Sequence, residues 1–376
     1  MSNKDLQEDN RGFGHILILF ILAVLVVAVG YLAYTRIKPK TYSDQAPIQT
    51  HVTDPATIKP ELTYKGAYNG KLYLTGEKVG ESAPWATWAQ NLDRNGVATA
   101  IAYFSIEDKG DAGQVEQIIK DFPGRIVPFY STGVGGEEEG ELAQKDKLVG
   151  IYKSSYKGFL KGIGEVEIQD WPMPHNDSRV LELFQFAADK KMHVMFHVRP
   201  GQTEAVGEIA KRFASTTFLI HLFANDFERE SNDIIKLLKE NPNITYTIDA
   251  DHLMFDRSGH EPIGLLYKYQ DELDDDIEPS EKSVKASSAK FNADFDRLEK
   301  TLRLEAIRRF KPLVEAVPDQ VTVGTELNLA YGYEPESFDR IIKHLRFFIA
   351  AFDEPTRAKL SHDNALELFG SGTRLN

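Results

Sequence analysis

The sequence predicts an α/β chain built as a (β/α)8 TIM-type barrel with an N-terminal transmembrane helix. Three observations predict it. One uncharged apolar run lies near the N-terminus. Eight strand-like runs then alternate with helical patterns. Polar residues gather at the C-terminal ends of several of those runs, the ends that form one rim in a barrel. A doubly wound open sheet is the competing architecture, but it converges distant strand ends less readily.

Residues 1–14 read as a short tail and 15–35 as the membrane helix. The run Ile16–Tyr34 (ILILFILAVLVVAVGYLAY) carries no charge and no polar stripe. About 20 such residues span the ~30 Å hydrocarbon core. A cleaved signal would have a shorter apolar stretch and a small-x-small site. Here the run ends with Tyr31 and Tyr34, suited to the headgroup level. Residues 36–62, rich in Pro, Thr and polar residues, read as a tether. Arg36, Lys38 and Lys40 outnumber Lys4 and Arg11, which favours a cytoplasmic domain. A short tail, one early span and a spacer favour an extracytoplasmic one, and that is the expectation.

Residues 63–376 form the barrel domain. Its strands are expected at Tyr68–Leu74, Ala98–Phe104, Arg125–Tyr130, Gly162–Ile168, His193–Val198, Thr217–Leu222, Ile244–Ile248 and Val321–Thr325. Each is a short apolar run bounded by turn residues. Clear helical patterns fall at Val180–Lys190, Gln202–Phe213, Glu228–Glu240 and Phe338–Phe352, with Asp177 and Ser178 placed to cap the first. A long insertion, about 250–320, separates strands seven and eight and includes a helix pair around Phe291–Val317, entered through polar Pro279–Lys290.

Composition narrows the function. The net charge of -13 argues against a nucleic-acid partner. The absence of cysteine excludes a disulfide framework and thiolate metal sites. The acidic run Asp271–Glu281 lacks the EF-hand glycine and ligand spacing. Gly133–Gly140 (GVGGEEEG) is too acidic to cradle phosphate and reads as a rim loop. No nucleophile elbow or P-loop is present.

Glu167, His197, His221 and Glu326 lie at or near strand C-termini. A lone buried histidine is more often a hydrogen-bonded core residue than a ligand. Two at one rim level on neighbouring strands favour a site. Glu165 and Glu167 share a face, and buried carboxylates need a cation or protons; Lys71, Arg199 or a metal could supply that charge. Asp249, Asp251 and His252 follow strand seven and are candidate substrate contacts, although a capping turn explains them nearly as well. His175, on the loop after strand four, could flank a pocket.

The segments GIGEVEI, HVMFHVR, TFLIHLF, VTVGTELN and the final SHDNALELF, in that order, resemble motifs of the amidohydrolase superfamily. The resemblance spans about Tyr68 to Phe369 and is nearest the amidohydrolase-related and TatD-like branches. It implies a hydrolase barrel binding one or two divalent metals, which the strand-one departure below reduces to one, zinc or manganese, or none. Glu165, His197, His221 and Glu326 would be ligands, with Glu326 as general base. Glu167, Arg199, Asp251 and His252 would contact substrate.

Strand one departs from the pattern. Lys71 and Tyr73 stand where the family has His-x-His. Their i, i+2 spacing points both into the barrel. An ammonium cannot ligate a metal but can replace its charge, pairing with Glu165 or Glu326. Tyr73 could donate to an oxyanion. Lys71 and Tyr73 are therefore catalytic candidates in a metal-independent version of the site. Two function classes follow: a membrane-anchored hydrolase of a small ester, amide, lactone or phosphate-bearing substrate, or a degenerate barrel that binds a ligand or protein.

Overall fold

The computed structural model describes residues 71–75, 84–106, 109–131, 158–166, 168, 174–222, 224–256, 263–269, 280–325, 327 and 330–369. All lie in one compact unit, Ile58–Asn376. The anchor reading at Ile16–Tyr34 and the tether at 36–62 fall outside the described residues. Among the described residues, no helix is long and apolar enough to cross a membrane.

Eight parallel strands form one sheet whose order follows the chain. They are β1 (Leu72–Leu74), β2 (Val97–Ser105), β3 (Ile126–Ser131), β4 (Gly162–Val166), β5 (His193–His197), β6 (Phe218–His221), β7 (Ile244–Ile248) and β8 (Val321–Val323). Helices α1 (Trp85–Arg94), α2 (Lys109–Asp121), α3 (Ser178–Lys190), α4 (Thr203–Arg212) and α5 (Ala224–Glu240) alternate with the strands. One-turn α6 (Ala250–Leu253), long α7 (Glu281–Ala316), α8 (Pro335–Ala350), α9 (Glu354–Ala358) and α10 (Asn364–Phe369) complete the chain. All eight expected strands are present.

Closure of the sheet rests on its two outer strands. The Thr75 backbone N–H donates to the Val323 carbonyl at 2.9 Å. The Thr75 hydroxyl donates to Thr322 Oγ1 at 2.8 Å and lies 3.4 Å from Thr247 Oγ1. Thr247 and Thr322 hydroxyls are 3.3 Å apart. Three fully buried threonines thus satisfy one another across β1, β7 and β8, as buried hydroxyls must.

Period-two alternation divides the core. Ala100, Ala102, Phe104, Val194, Phe196, Phe218, Ile220, Tyr246 and Ile248 face outward and pack with the helices. Ile101, Tyr103, Val127, Phe129, Met195 and Leu219 fill the barrel interior, sealed by Leu368 and Phe369 of α10. Asn364 fastens that helix, its amide donating to Pro318 O and Val321 O at 2.8 and 2.7 Å. β4 needs glycine where it crosses its neighbours. A Cβ on Gly162 would lie 2.4 Å from the Phe129 ring, and one on Gly164 2.8 Å from Met195 Cβ.

The expected helix pair around Phe291–Val317 is instead one 36-residue helix, α7. At ~1.5 Å per residue it is about 54 Å long. The polar stretch read as its entry, Pro279–Lys290, belongs largely to the helix. Packing overrides the weak local pattern: Ser288 bonds Ser337 at 2.8 Å, and Asp296 accepts from Arg340 at 2.9 and 2.8 Å. Farther along, Phe310 stacks on Phe227 at 4.6 Å between centroids.

His344 joins α8 to α6, its Nε2 lying 3.0 Å from the Leu253 carbonyl. Burial pushes its pKa down to about 4, with Arg303 adding to the effect. The folded value lies below the unfolded 6.5. Between those values only the unfolded state takes the proton. Stability is therefore held above pH 6.5 and falls as pH drops towards 4, by up to about 1.4 kcal/mol per unit. Urea midpoints measured from pH 7 to 4.5 should fall less steeply in His344→Gln than in the parent; parallel curves would refute this. Gly164→Ala should cost about 2 kcal/mol or more by overpacking a strand crossing, and an unchanged urea midpoint would refute that contact.

Candidate metal centre

Glu165, His197 and His221 come from the C-terminal ends of β4, β5 and β6; His197 lies opposite His221, and the β4–β5 register shifts between Ile163 and Val166, around Glu165. All three are buried, at 2%, 3% and 0% exposure. His197 Nε2 lies 2.6 Å from Glu165 Oε1, and His221 Nε2 contacts the same oxygen. The two imidazole rings are 3.7 Å apart between centroids.

The opposite edge of His221 is fixed. Its Nδ1 lies 2.7 Å from Asp249 Oδ2, just beyond β7. An ionised carboxylate only accepts, so Nδ1 carries the proton and the Nε2 lone pair faces Glu165. A carboxylate oxygen and an imidazole lone pair at contact repel unless a proton or a cation lies between them. This is the donor set and the orientation that zinc takes: two imidazoles, one carboxylate and a carboxylate behind one histidine. One ligand atom from each of Glu165, His197 and His221 lies within 4.8 Å of the others. Tetrahedral zinc would place such atoms roughly 3.3 Å apart, a small opening of the observed contacts. Three protein ligands leave a fourth position for water or substrate, the arrangement of catalytic rather than structural sites.

A second trio shares His221: Asp249 and His252 complete it. His252 Nδ1 accepts the Asp249 backbone N–H at 3.2 Å. Burial holds His252 well below its ordinary pKa. Burial and the neighbouring Asp249 push the Asp251 carboxyl up to about 7, against the pull of Arg309. Asp251 Oδ1 packs on Gly264, on the short hairpin of 255–256 and 263–264.

Of the residues expected in the site, Glu165, His197 and His221 converge, with His252 beside them and Asp251 behind. Arg199 stands half-exposed beyond β5. Its backbone N–H donates to buried His175 Nε2 at 3.0 Å, and its guanidinium to Ile168 O at 3.3 Å. Burial and the Arg199 charge hold His175 at about 4. Glu167 and Glu326 fall outside the described residues. Lys71 does not stand in for a cation: it is exposed at the N-terminal end of β1, the end opposite the site. Tyr73 is likewise turned toward the seal, its ring 6.2 Å from Phe369. The two keep the inward parity of their strand, but the inward residue at its C-terminal end is Thr75. Asp249's role as the partner of His221 is signalled by the same parity, since it continues the inward series Thr245 and Thr247.

No family model matches the chain, and no curated protein matches it. Solved structures do. An amidohydrolase from Burkholderia multivorans with bound zinc aligns at TM-score 0.42 and 11% identity, covering 81% of this chain and 99% of that one. A probable 2-pyrone-4,6-dicarboxylic acid hydrolase from Acinetobacter baumannii with citric acid bound aligns at 0.42 and 11%, covering 79% and 98%. A 5-carboxyvanillate decarboxylase from Novosphingobium aromaticivorans, complexed with manganese and a nitrobenzoic acid, aligns at 0.44 and 10%, covering 80% and 96%. The barrel itself stands on the strand pairing above.

Removing the carboxylate that aims His221 should weaken metal binding. Asp249→Ala is expected to lower zinc affinity by about 10–100-fold while the far-ultraviolet circular dichroism stays that of the parent. Unchanged affinity in a chelator competition would show that His221 needs no such support.

Proposed function

We propose that this chain is an amidohydrolase-like enzyme that acts on a small molecule at a single divalent-metal site. The observation that carries this reading is the buried trio Glu165, His197 and His221 on three successive strand ends, with Asp249 behind His221. Zinc or manganese held there would polarise a carbonyl or phosphoryl oxygen and acidify a bound water.

The chain's own residues divide the remaining work. Asp249 fixes the tautomer of His221, so that a lone pair and not a proton faces the site. Glu165 supplies the negative charge that draws a cation into a buried place. Glu326, next to Thr325 beyond β8, is the proposed general base, in the role the sequence resemblance gives it. Arg199, with its backbone held by His175, is placed to orient an anionic substrate group. Strand one offers no second pair of imidazoles, which favours one metal over two. Substrates with an ester, amide or lactone carbonyl, a phosphate group or a carboxylate fit this set. The neighbours named above, a dicarboxylic acid hydrolase and a decarboxylase, support trying small carboxylic acids first. Ile16–Tyr34 would hold the barrel at a membrane, outside the cytoplasm.

Full-length protein in detergent should bind one equivalent of zinc or manganese, and the His197→Ala/His221→Ala pair should abolish that binding. Stoichiometric metal with no turnover across an ester, lactone and carboxylic-acid panel would favour a binding module; no metal in the parent would sink the metal-centre reading. Protease added to intact cells should remove the barrel domain, whereas full protection would place it on the cytoplasmic side.

A further inference from the structure

The site is held from behind by a residue on α7. Arg309 is buried, at 4% exposure. Its Nη1 donates to the His252 carbonyl at 2.9 Å and its Nε to Glu228 at 3.0 Å. Arg308 reaches the same Glu228 oxygen at 2.7 Å. The guanidinium lies 5.3 Å from the Phe255 ring centroid. One rigid fork therefore ties α5, α6 and α7 together at the turn that carries Asp249, Asp251 and His252.

That turn orients the histidine of the trio. His252 accepts the Asp249 backbone N–H, and Asp249 accepts from His221 Nδ1. Its positive charge favours the ionised form of the buried Asp251 carboxyl, while Asp249 Oδ2 receives His221 Nδ1. A lysine cannot make the contacts of Arg309: its single ammonium lacks the planar fork that serves two acceptors at once.

We infer that Arg309 is a positioning residue for the metal centre, setting the aim of His221 through the His252 peptide and Asp249. The inference rests on the single-metal reading above. It makes α7 part of the site although none of its side chains reaches the trio.

Cobalt(II) is a suitable probe, because its d–d absorption reports ligand geometry and its affinity is read by competition with a chromophoric chelator. In the full-length protein, Arg309→Lys should bind cobalt about tenfold more weakly, and Arg309→Met up to about a hundredfold, both with altered d–d bands. Arg303→Met serves as the control. Arg303 is buried on the same helix, stacked 3.3 Å over the Phe347 ring. Its loss should lower the melting temperature but leave cobalt affinity and spectrum those of the parent. If Arg309→Met fails to fold, Arg309→Lys, which keeps the charge and stem, carries the test. Parental cobalt affinity and spectrum in the Arg309 variants, with only a lower melting temperature, would overturn the inference. A parent chain that binds no cobalt would instead overturn the metal reading itself.

Discussion

Among the described residues, a single backbone hydrogen bond, Thr75 N–H to Val323 O, joins the first strand to the last, and the rest of the architecture depends on that closure. Left open, the same eight strands would present two edges with unpaired donors and acceptors. Their C-terminal ends would lie along a line rather than a ring. The seam is reinforced not by apolar packing but by three buried hydroxyls, each of which finds its partner on another strand. The arrangement is selective. A slip of one residue in β8 would turn Thr322 outward and bury Val321 or Val323 against two unsatisfied threonines.

Closure concentrates charge, and the site is the consequence. Two acids, Glu165 and Asp249, bracket one buried imidazole. Coulombic attraction and desolvation oppose each other there. A cation at Glu165 would resolve the opposition on one side of His221, as the Nδ1 proton does on the other. Behind this lies a third layer of compensation, Arg309 between Glu228 and the His252 carbonyl. Arg309 thus sets a positive charge between Glu228 and the acidic 249–252 turn, and such compensation is what lets a buried polar cluster of this size be tolerated.

Much of this was legible before any coordinates. Strand positions were, because eight apolar runs bounded by turn residues leave few other readings. His197 and His221 were, because each stands next to the end of such a run, and Glu165 was through the resemblance of GIGEVEI to a family motif. Parity along β1 was read correctly, but parity says which face a side chain takes and nothing about its height. Lys71 and Tyr73 therefore went to the right face at the wrong end, displaced by the Phe369 seal. The helix at 281–316 was hidden because serine, lysine and aspartate dominate its first turns; it is held by serine and arginine contacts to α8, which no local pattern reports. Arg309 was invisible for a related reason. Its meaning lies in Glu228 and His252, 81 and 57 residues away. Glu167 and Glu326 keep the standing the motifs gave them.

The placement of the ligands in the chain has a consequence for how the molecule forms. Glu165, His197, His221 and Asp249 belong to four consecutive strands, each paired with its immediate successor in sequence. The two ends of the sheet, by contrast, meet across 248 residues, the separation between Thr75 and Val323. Loop-closure entropy rises with separation, and non-local pairings are the slow ones. The strands that carry the trio thus pair only with near neighbours in sequence, whereas the seam between the N-terminal strand and β8 draws on both ends of the domain.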